Sequence, residues 1–252
     1  MKEFFKQTIK SFKPHDVIIY VVSIVAILAS FFGVRSHDYI TLTSSLIGAT
    51  MLIFLAKGNV IGEFLTVIFA VFYGIVSFAT KYYGEMITYL GMSAPAAIVA
   101  IVTWIRHPYN GNHTEVKVNT IKGKEWGLLA ALSAAVTVAF YFILRAFGNA
   151  SLVTSTISVL TSFVASYLAL RRSEYYALAY AVNDIVLIVL WSIATAQSLQ
   201  YLPMIICFVV FLVNDIYGFI NWRRNKNRQA QADKETAVAE GENRSDENTE
   251  EV

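Results

Sequence analysis

The sequence predicts an all-α integral membrane protein with eight transmembrane helices. Of its 252 residues, 56% are hydrophobic and only 15% are charged, whereas a soluble domain carries about a quarter charged residues. The apolar residues fall in blocks of roughly 20, the length of helix that crosses a ~30 Å hydrocarbon core. The predicted spans cover residues 17–33, 38–56, 60–80, 86–105, 126–147, 151–170, 175–195 and 201–222.

The first span is predicted to be an extra transmembrane helix over residues 17–37. It follows residues 1–16, which are basic and amphipathic and form a predicted cytoplasmic N-terminal segment. The apolar run Val17–Gly33 is long enough to cross the membrane, so we expect it to be retained and not removed as a signal peptide.

The distribution of positive charge predicts that both termini lie in the cytoplasm. With the N-terminus inside, fifteen Lys and Arg residues fall in inner segments and three (Arg35, Lys81 and Arg145) in outer ones. Such an excess is the signature of cytoplasmic loops. It also requires an even number of spans, because an odd number would place the basic C-terminal end of the last span outside.

Two longer polar stretches lie outside the predicted spans. Residues 107–125 form a predicted cytoplasmic loop. Residues 225–252 are acidic and lack apolar periodicity, so they bury too little surface to offset the cost of ordering. We therefore predict a disordered, solvated cytoplasmic tail, with partner binding as the alternative role.

The layout of the spans suggests an internal duplication. A first three-helix repeat over residues 38–106 and a second over 148–224 each have a basic turn after their first helix and a Trp beside Arg, an interfacial anchor, at their inner end. A linker transmembrane helix, residues 126–147, lets both repeats insert in the same orientation, as in parallel-repeat transporters. The alternative is that basic inner turns occur in any helical membrane protein.

Polar and aromatic residues recur on one face of the seventh span. Tyr176, Tyr180, Asn183, Leu187 and Trp191 follow helical spacing. Intramembrane amides are costly and usually face the bundle interior, and in the eighth span Asn214 lies at a depth similar to that of Asn183. Together these residues predict a polar, aromatic-walled cavity for a ligand that is planar at one end and hydroxylated at the other. The alternative is that each asparagine makes only an interhelical hydrogen bond.

The first repeat is predicted to contribute aromatic residues to the same cavity. Its third span offers Phe69 and Tyr73, and its fourth offers Tyr89 before Pro95, which we expect to kink the helix. Asp184 and Asp215 lie one position further round their helices, where either is a candidate proton or cation site or a backbone cap. The predicted substrate-binding residues are Tyr73, Tyr89, Tyr176, Tyr180, Asn183, Trp191, Asn214 and Tyr217.

No pattern in the sequence predicts catalysis. The four histidines, His15, His37, His107 and His113, fall in tails and loops without metal-ligand spacing. The single cysteine, Cys207, lies in an apolar run, and no nucleotide-binding or nucleophile motif is present. We therefore expect no catalytic residue, no metal, no cofactor and no nucleic-acid partner, and predict that the protein is not an enzyme.

Over residues 40–225 the chain resembles the PnuC family of vitamin transporters. The residues that carry the resemblance are Ala56-Lys57-Gly58-Asn59, Tyr73-Gly74, Tyr83-Gly84-Glu85-Met86, Pro95, Val182-Asn183, Asn214, Tyr217-Gly218 and Asn221-Trp222-Arg223-Arg224. The resemblance implies a SWEET-like three-plus-one-plus-three fold, a homotrimer and a bacterial inner-membrane location. It also implies import of nicotinamide riboside, an NAD precursor, by facilitated diffusion and trapping by a cytosolic riboside kinase.

The sequence departs from that family at its aromatic box. A Trp-x-x-Trp pair is frequent before Val-Asn in riboside carriers, and Tyr176 and Ala179 occupy those positions here, while Phe69 replaces a frequent Asn. The alternatives are therefore transport of thiamine, riboflavin or a deoxynucleoside, with or without proton coupling. A membrane scaffold or sensor that acts through the acidic tail is a further hypothesis from a different class.

Overall fold

The computed structural model describes residues 2–250, with the backbone alone for residues 2, 3, 5, 113 and 239–250. Within that range, eight helical stretches are long and apolar enough to cross a membrane, which confirms the predicted fold class. The helices are α1 (Lys2–Ser11), α2 (Pro14–Gly33), α3 (Tyr39–Ala56), α4 (Ile61–Ala79), α5 (Tyr83–Thr88), α6 (Ala94–Ile105), α7 (Gly123–Ala146), α8 (Leu152–Leu170), α9 (Tyr175–Thr195) and α10 (Leu202–Glu250), with a 3₁₀ turn at Leu199–Tyr201.

The fourth span is interrupted near its middle. A π-helical segment, Tyr89–Ser93, joins α5 to α6, and Pro95 is the second residue of α6. Proline has no N–H, and its ring crowds the carbonyl four residues earlier, so the turn before it widens. The predicted irregularity is present, and it takes the form of a π-helical turn that precedes the proline.

The two predicted repeats pack by corresponding contacts. Within the first, α4 packs against α3 and α6, and within the second, α9 packs against α8 and α10. Between them, α3 packs against α10 and α6 against α8, while α2 lies on α3 and α10 and α7 lies on α8 and α5. The extra helix α2 and the linker α7 thus occupy corresponding positions beside the two repeats. A duplicated unit arranged around an axis along the membrane normal predicts this pattern.

Two tryptophans connect the repeats in the same way. Trp104 Nε1 donates to the Ala169 carbonyl at 3.1 Å, and Trp222 Nε1 donates to the Leu55 carbonyl at 2.8 Å. Both acceptors are the second-to-last residue of the first helix of the other repeat. Both indole rings are buried, and their centroids lie 5.3 Å apart. The prediction that they are interfacial anchors is therefore wrong, because each indole instead satisfies an end carbonyl of the neighbouring repeat.

A polar layer covers the membrane face on which α1 lies and from which α10 emerges, which we call the terminal face. The predicted loop 107–125 contains a two-stranded hairpin, β1 (Pro108–Tyr109) and β2 (Asn112–Val116). Its turn residues Asn110 and Gly111 both have positive φ, 47° and 71°, which a type I′ turn requires. At the end of β2, Val116 N donates to the Gly58 carbonyl, and after the hairpin Asn119 N donates to the Arg172 carbonyl. The loop therefore hydrogen-bonds to the turn that follows the first helix of each repeat.

Helix α10 continues out of the membrane into the segment for which we predict disorder. Gln229 is buried against the hairpin segment, where it accepts from Val118 N at 2.9 Å and donates to the Val116 carbonyl at 3.1 Å. Lys226 donates to Glu174 at 2.6 Å. The prediction of disorder does not hold for residues 225–233, because Lys226, Gln229 and Asp233 bond to residues of other segments. For residues 239–250 only the backbone is described and disorder stays a prediction, and residues 251 and 252 lie outside the described range.

We expect the part of α10 that contacts the hairpin to stabilise the protein, and the acidic end not to. Ending the chain after Arg224 leaves buried partners of Gln229 unpaired, which costs about 1–3 kcal/mol and lowers the melting temperature in detergent by roughly 2–12 °C. Ending it after Val238 keeps every Gln229 contact and is the matched control. Equal melting temperatures for the two truncations would contradict the prediction.

Candidate functional site

A cavity of about 40 Å³ lies inside the bundle, between α3, α4, the π-helical segment, α9 and α10. It is enclosed by side chains from both repeats, in the half of the membrane nearer the terminal face. The lining residues are Met51, Leu52, Leu55, Glu63, Thr66, Phe69, Tyr89, Ser93, Tyr176, Tyr180, Asp184, Phe211 and Asp215. A volume of this size is room for a few water molecules and is below the roughly 300–1,000 Å³ of small-molecule sites, so the cavity must widen to admit a ligand.

Aromatic rings form much of the cavity wall. The Phe69 ring lies 5.8 Å from that of Tyr89 and 5.5 Å from that of Phe211, centroid to centroid. Tyr180 lies on the other side and its hydroxyl is 3.1 Å from Ser166 Oγ. Aromatic faces in an enclosed site suit a flat ring, by stacking or, for a charged ring, by cation–π attraction.

Three carboxyl groups line the same cavity. Glu63 comes from the first turn of α4, Asp184 from the middle of α9 and Asp215 from α10, and all three are at least 96% buried. Asp184 Oδ2 is buried and has no hydrogen-bond partner among the described residues. No Lys, Arg or His lines this cavity among the residues whose side chains are described. The site is therefore acidic, without a cationic partner of its own.

At the end nearer the terminal face, the cavity is closed by side chains that hydrogen-bond to the main-chain carbonyl oxygen of Leu55. This oxygen accepts from the Tyr176 hydroxyl at 3.0 Å as well as from Trp222 Nε1. The Tyr176 and Trp222 rings pack edge-to-face at 4.8 Å. Two aromatic donors from the second repeat thus fix the end of α3 in the first.

Towards the opposite face, the cavity is closed by a second aromatic layer. Tyr73 stacks on Phe69 at 5.5 Å and packs edge-to-face on Tyr89 at 4.5 Å. Its hydroxyl accepts from Trp191 Nε1 at 3.0 Å. Because Tyr73 and Trp191 are fully buried, the cavity is closed on this side by a bond between α4 and α9.

A smaller cavity of about 10 Å³ adjoins the first between α4, α6 and α8. The two share Glu63, Thr66, Ser93 and Tyr180. The walls of the smaller cavity are otherwise small side chains, among them Ala97, Ala100 and Ala169, and Trp104 donates to the Ala169 carbonyl. This extension leads from the main cavity towards the terminal face.

The structure brings three of the eight predicted substrate-binding residues to the cavity wall, and five lie elsewhere. Tyr89, Tyr176 and Tyr180 line it. Tyr73 and Trp191 form the adjacent closing layer and do not line it. A direct substrate contact for the three tyrosines stays a prediction.

The two predicted asparagines face away from the cavity. Asn183 Oδ1 accepts from Thr161 and Ser162 of α8 at 2.8 and 3.0 Å. Asn214 Nδ2 donates to Ser23 of α2 at 2.9 Å. Successive residues on a helix are rotated by about 100°, so the next residues, Asp184 and Asp215, face the cavity instead. The interhelical role that we gave as the alternative is the one that the structure supports.

Tyr217 also lies outside the cavity. Its hydroxyl donates to the fully buried carboxylate of Asp16, whose other oxygen accepts from Lys57 Nζ at 3.0 Å. Asn221 Nδ2 contacts the same hydroxyl at 3.3 Å. Tyr217 therefore joins α10 to α2 and α3 near the terminal face. It does not make the ligand contact that the sequence predicts for it.

We expect Tyr217→Phe to weaken folding and to leave ligand affinity unchanged. A hydrogen bond to a charged group contributes about 1.5–3 kcal/mol, so the melting temperature in detergent should fall. The dissociation constant of a bound riboside, measured calorimetrically, should stay within about twofold, since that change is under 0.5 kcal/mol. A weaker affinity for the riboside, together with an unchanged melting temperature, would contradict this prediction and would indicate that Tyr217 contacts the ligand.

The clearest cavity residue that sequence reasoning missed is Glu63. A carboxylate inside an apolar span is itself a signal of function, but Glu63 lies so close to the start of its span that it resembles an interfacial residue. Ser93, Thr66 and Met51 are likewise missed, and nothing in their sequence context marks them. Among the described residues, no group of three or more His, Cys, Asp or Glu side chains could hold a metal ion.

Residues 38–224 match the model of the nicotinamide mononucleotide transporter family. The chain belongs to this family. Two similar proteins are named nicotinamide riboside transporter PnuC. The one from Neisseria mucosa is 28% identical over 221 residues, which cover 86% of this chain and 84% of the relative. The one from Haemophilus influenzae is 25% identical over 223 residues, or 87% and 94%. The predicted resemblance to the PnuC family is confirmed.

A solved structure has the same fold. The crystal structure described as that of the vitamin B3 transporter PnuC aligns with a TM-score of 0.76 over 86% of this chain and 94% of that chain. Its sequence identity of 24% supports the fold alone. The family is one of transporters, which agrees with the prediction that the chain is not an enzyme.

Proposed function

We propose that this protein carries nicotinamide riboside across the bacterial inner membrane through the cavity between its two repeats. One observation carries the proposal: an enclosed, aromatic-walled cavity lies inside the bundle of a chain whose relatives are named nicotinamide riboside transporters. Its walls come from both predicted repeats, as expected for a transporter that opens alternately to each side.

The cavity favours the riboside over the mononucleotide that gives the family model its description. A phosphate group placed there would meet Glu63, Asp184 and Asp215 and none of the Lys or Arg partners that phosphates require. Burying an unpaired anion is strongly unfavourable. The nicotinamide ring of the riboside carries a permanent positive charge, and this charge matches the acidic lining.

We also propose the orientation of the protein in the membrane, the driving force of transport and the oligomeric state. The excess of Lys and Arg in the segments at the terminal face supports cytoplasmic termini. We propose facilitated diffusion, with trapping by a separate cytosolic riboside kinase, because no nucleotide-binding motif is present to couple transport to ATP. The lipid-exposed faces of α2 and α7 offer contact surface for the proposed homotrimer.

The proposal is tested by uptake into liposomes that contain the purified full-length protein. Labelled nicotinamide riboside, without any ion gradient, should enter saturably until its inner and outer concentrations are equal. Nicotinamide mononucleotide should not enter, and riboflavin and deoxynucleosides, which carry no fixed positive charge, should compete weakly. Failure to take up any riboside would overturn the proposal, and accumulation that needs a proton gradient would overturn facilitated diffusion.

A further inference from the structure

Three cavities follow one face of the fourth span, from the middle of the bundle to the terminal face. The residues of this face that line them are, in order along the chain, Tyr89, Ser93, Ala97, Ala100 and Trp104. The first two line the main cavity, the next two line its extension, and the last lines a third cavity of about 240 Å³. Because these residues recur at intervals of three or four, they lie on the same side of the span.

The third cavity, which we call the vestibule, lies at the terminal face. Its other walls come from α1, from the turn after α3 and from β2, among them Phe4, Gly58 and Val116. The Trp104 ring is buried, and its Nε1 donates to the carbonyl of Ala169, a residue that lines the extension. The Trp104 ring therefore separates the extension from the vestibule.

The two repeats are joined near the terminal face by two contacts that differ in strength. The Leu55 carbonyl accepts from two side chains, Tyr176 and Trp222. Among the described residues, one side chain donates to the equivalent Ala169 carbonyl, that of Trp104. The contact at Ala169 therefore has one hydrogen bond fewer to break.

A glycine in the first repeat accounts for the missing donor. The two acceptors are equivalent, since the third residue after each, Gly58 and Arg172, has a positive φ, 69° and 57°. The seventh residue after each acceptor is Gly62 in the first repeat and Tyr176 in the second. Because glycine has no side chain, α4 cannot supply the hydroxyl that α9 supplies on the other side.

The helices on the Leu55 side pack closely. Gly218 lies four residues before its tryptophan, as Ala100 does in the first repeat. A Cβ at Gly218 would lie 3.5 Å from the Ala177 Cβ and 3.7 Å from the Ala56 Cβ. A small residue at such a position lets helices approach each other, so α10 lies against α3 and α9 here. The extension lies instead between α4, α6 and α8.

We propose that the substrate passes between the main cavity and the terminal face along α4, α6 and α8, and that Trp104 is the gate of this path. The inference rests on the proposed function and names the route that the riboside takes. Opening requires that the Trp104 indole leave the Ala169 carbonyl, while both bonds at the Leu55 carbonyl stay in place. The repeats then separate on one side only, with the Leu55 contact as the hinge.

The test is modification of single cysteines by a membrane-impermeant thiol reagent, in liposomes that contain the full-length protein. The parent is Cys207→Ala, which removes the only cysteine of the sequence. Ala100→Cys and Ala97→Cys each place a thiol in the extension. Ala177→Cys is the matched control, because Ala177 is fully buried on the Leu55 side. Ala237→Cys lies on the exposed part of α10 and reports which molecules present the terminal face to the reagent.

A thiol reacts only where the reagent reaches it, so the path and the hinge should differ. We expect the thiols at positions 97 and 100 to react in the molecules that the thiol at position 237 identifies, and the thiol at position 177 to stay unmodified. The attached group then fills the extension, so riboside uptake by the variants at 97 and 100 should fall to that of empty liposomes. Equal modification at positions 100 and 177 would overturn the proposed route.

Two tryptophan variants test the gate itself. In the Ala100→Cys protein, Trp104→Phe keeps an aromatic ring and loses the donor to Ala169. The thiol at position 100 should then react about 2- to 12-fold faster, as the loss of one neutral hydrogen bond predicts. Trp222→Phe is the matched control, because Tyr176 still holds its acceptor, and it should leave the rate unchanged. Equal acceleration by both variants would show that losing either indole merely loosens the fold, and would overturn the assignment of Trp104 as the gate.

The results distinguish a failure of this inference from a failure of the proposed function. Riboside uptake without modification at positions 97 and 100, or with modification there that leaves uptake unchanged, would overturn the route and leave riboside transport standing. Absence of riboside uptake would overturn the proposed function. In that case, faster modification at position 100 with Trp104→Phe alone would support the gate for another ligand, and an unchanged rate would overturn the gate as well.

Discussion

Replacing Tyr180 with Ala should lower riboside uptake at subsaturating concentration by about 5- to 150-fold. Aromatic stacking on a nucleobase-like ring contributes about 1–3 kcal/mol, and Tyr180 lies in the wall of both the main cavity and its extension. The measurement is the initial rate of labelled riboside uptake into liposomes with equal amounts of folded protein.

Two further variants isolate the contribution of the Tyr180 ring. Tyr180→Phe removes only the hydroxyl that contacts Ser166, so most of the uptake should remain. Tyr141→Ala removes a tyrosine from α7, outside the cavity and partly exposed to lipid, and should leave uptake unchanged. If Tyr180→Ala and Tyr141→Ala transport equally well, the cavity wall does not bind the ring.

Replacing Trp191 with Ala should cause the largest loss of stability among single substitutions in the bundle. Trp191 is fully buried, donates to Tyr73 and packs on Tyr82 at 5.4 Å. Truncating a buried Trp costs about 3–5 kcal/mol, which corresponds to a fall in melting temperature of about 6–20 °C for a chain of this length. The fraction of protein that stays monodisperse after heating in detergent reports this change.

The control for Trp191 is Trp126→Ala. Trp126 lies at the start of α7, is 40% exposed and touches the Tyr175 ring at its edge, so its loss should shift the melting temperature much less. Trp191→Phe, which keeps an aromatic ring and loses the indole donor, should fall between the two. An equal effect of the two alanine variants would show that the Tyr73–Trp191 layer is not a major support of the fold.

The transmembrane fold could be predicted because the membrane imposes a simple length rule. Each span must be apolar over about 20 residues, and that pattern is visible in the sequence alone. The ordered end of α10 could not be predicted, since Gln229 is held by residues more than 100 positions away. The burial of Trp104 and Trp222 was missed for the same reason: each bonds to a carbonyl of the other repeat.

For α9 and α10 the sequence predicted the depth of the candidate site in the membrane, but it selected a polar residue one position before the one that lines the cavity. Helical spacing identified Tyr176 and Tyr180 correctly as one face, but the same face placed Asn183 in the cavity, where Asp184 lies instead. A 100° rotation separates these neighbours, and spacing alone does not decide which of two adjacent polar residues faces inward. Which residue faces the cavity depends on the hydrogen-bond partners that α8 and α2 offer to Asn183 and Asn214.

The closure at Leu55 has a consequence for how this protein can change over evolution. The shared acceptor is a main-chain oxygen, so no substitution at position 55 can remove it, while the Leu55 side chain lines the cavity. A change of side chain at residue 55 can therefore alter ligand preference and still keep this contact between the repeats, within the volume that its close packing on Gly62 allows. Its two donors have no such freedom, because each must keep an aromatic N–H or O–H.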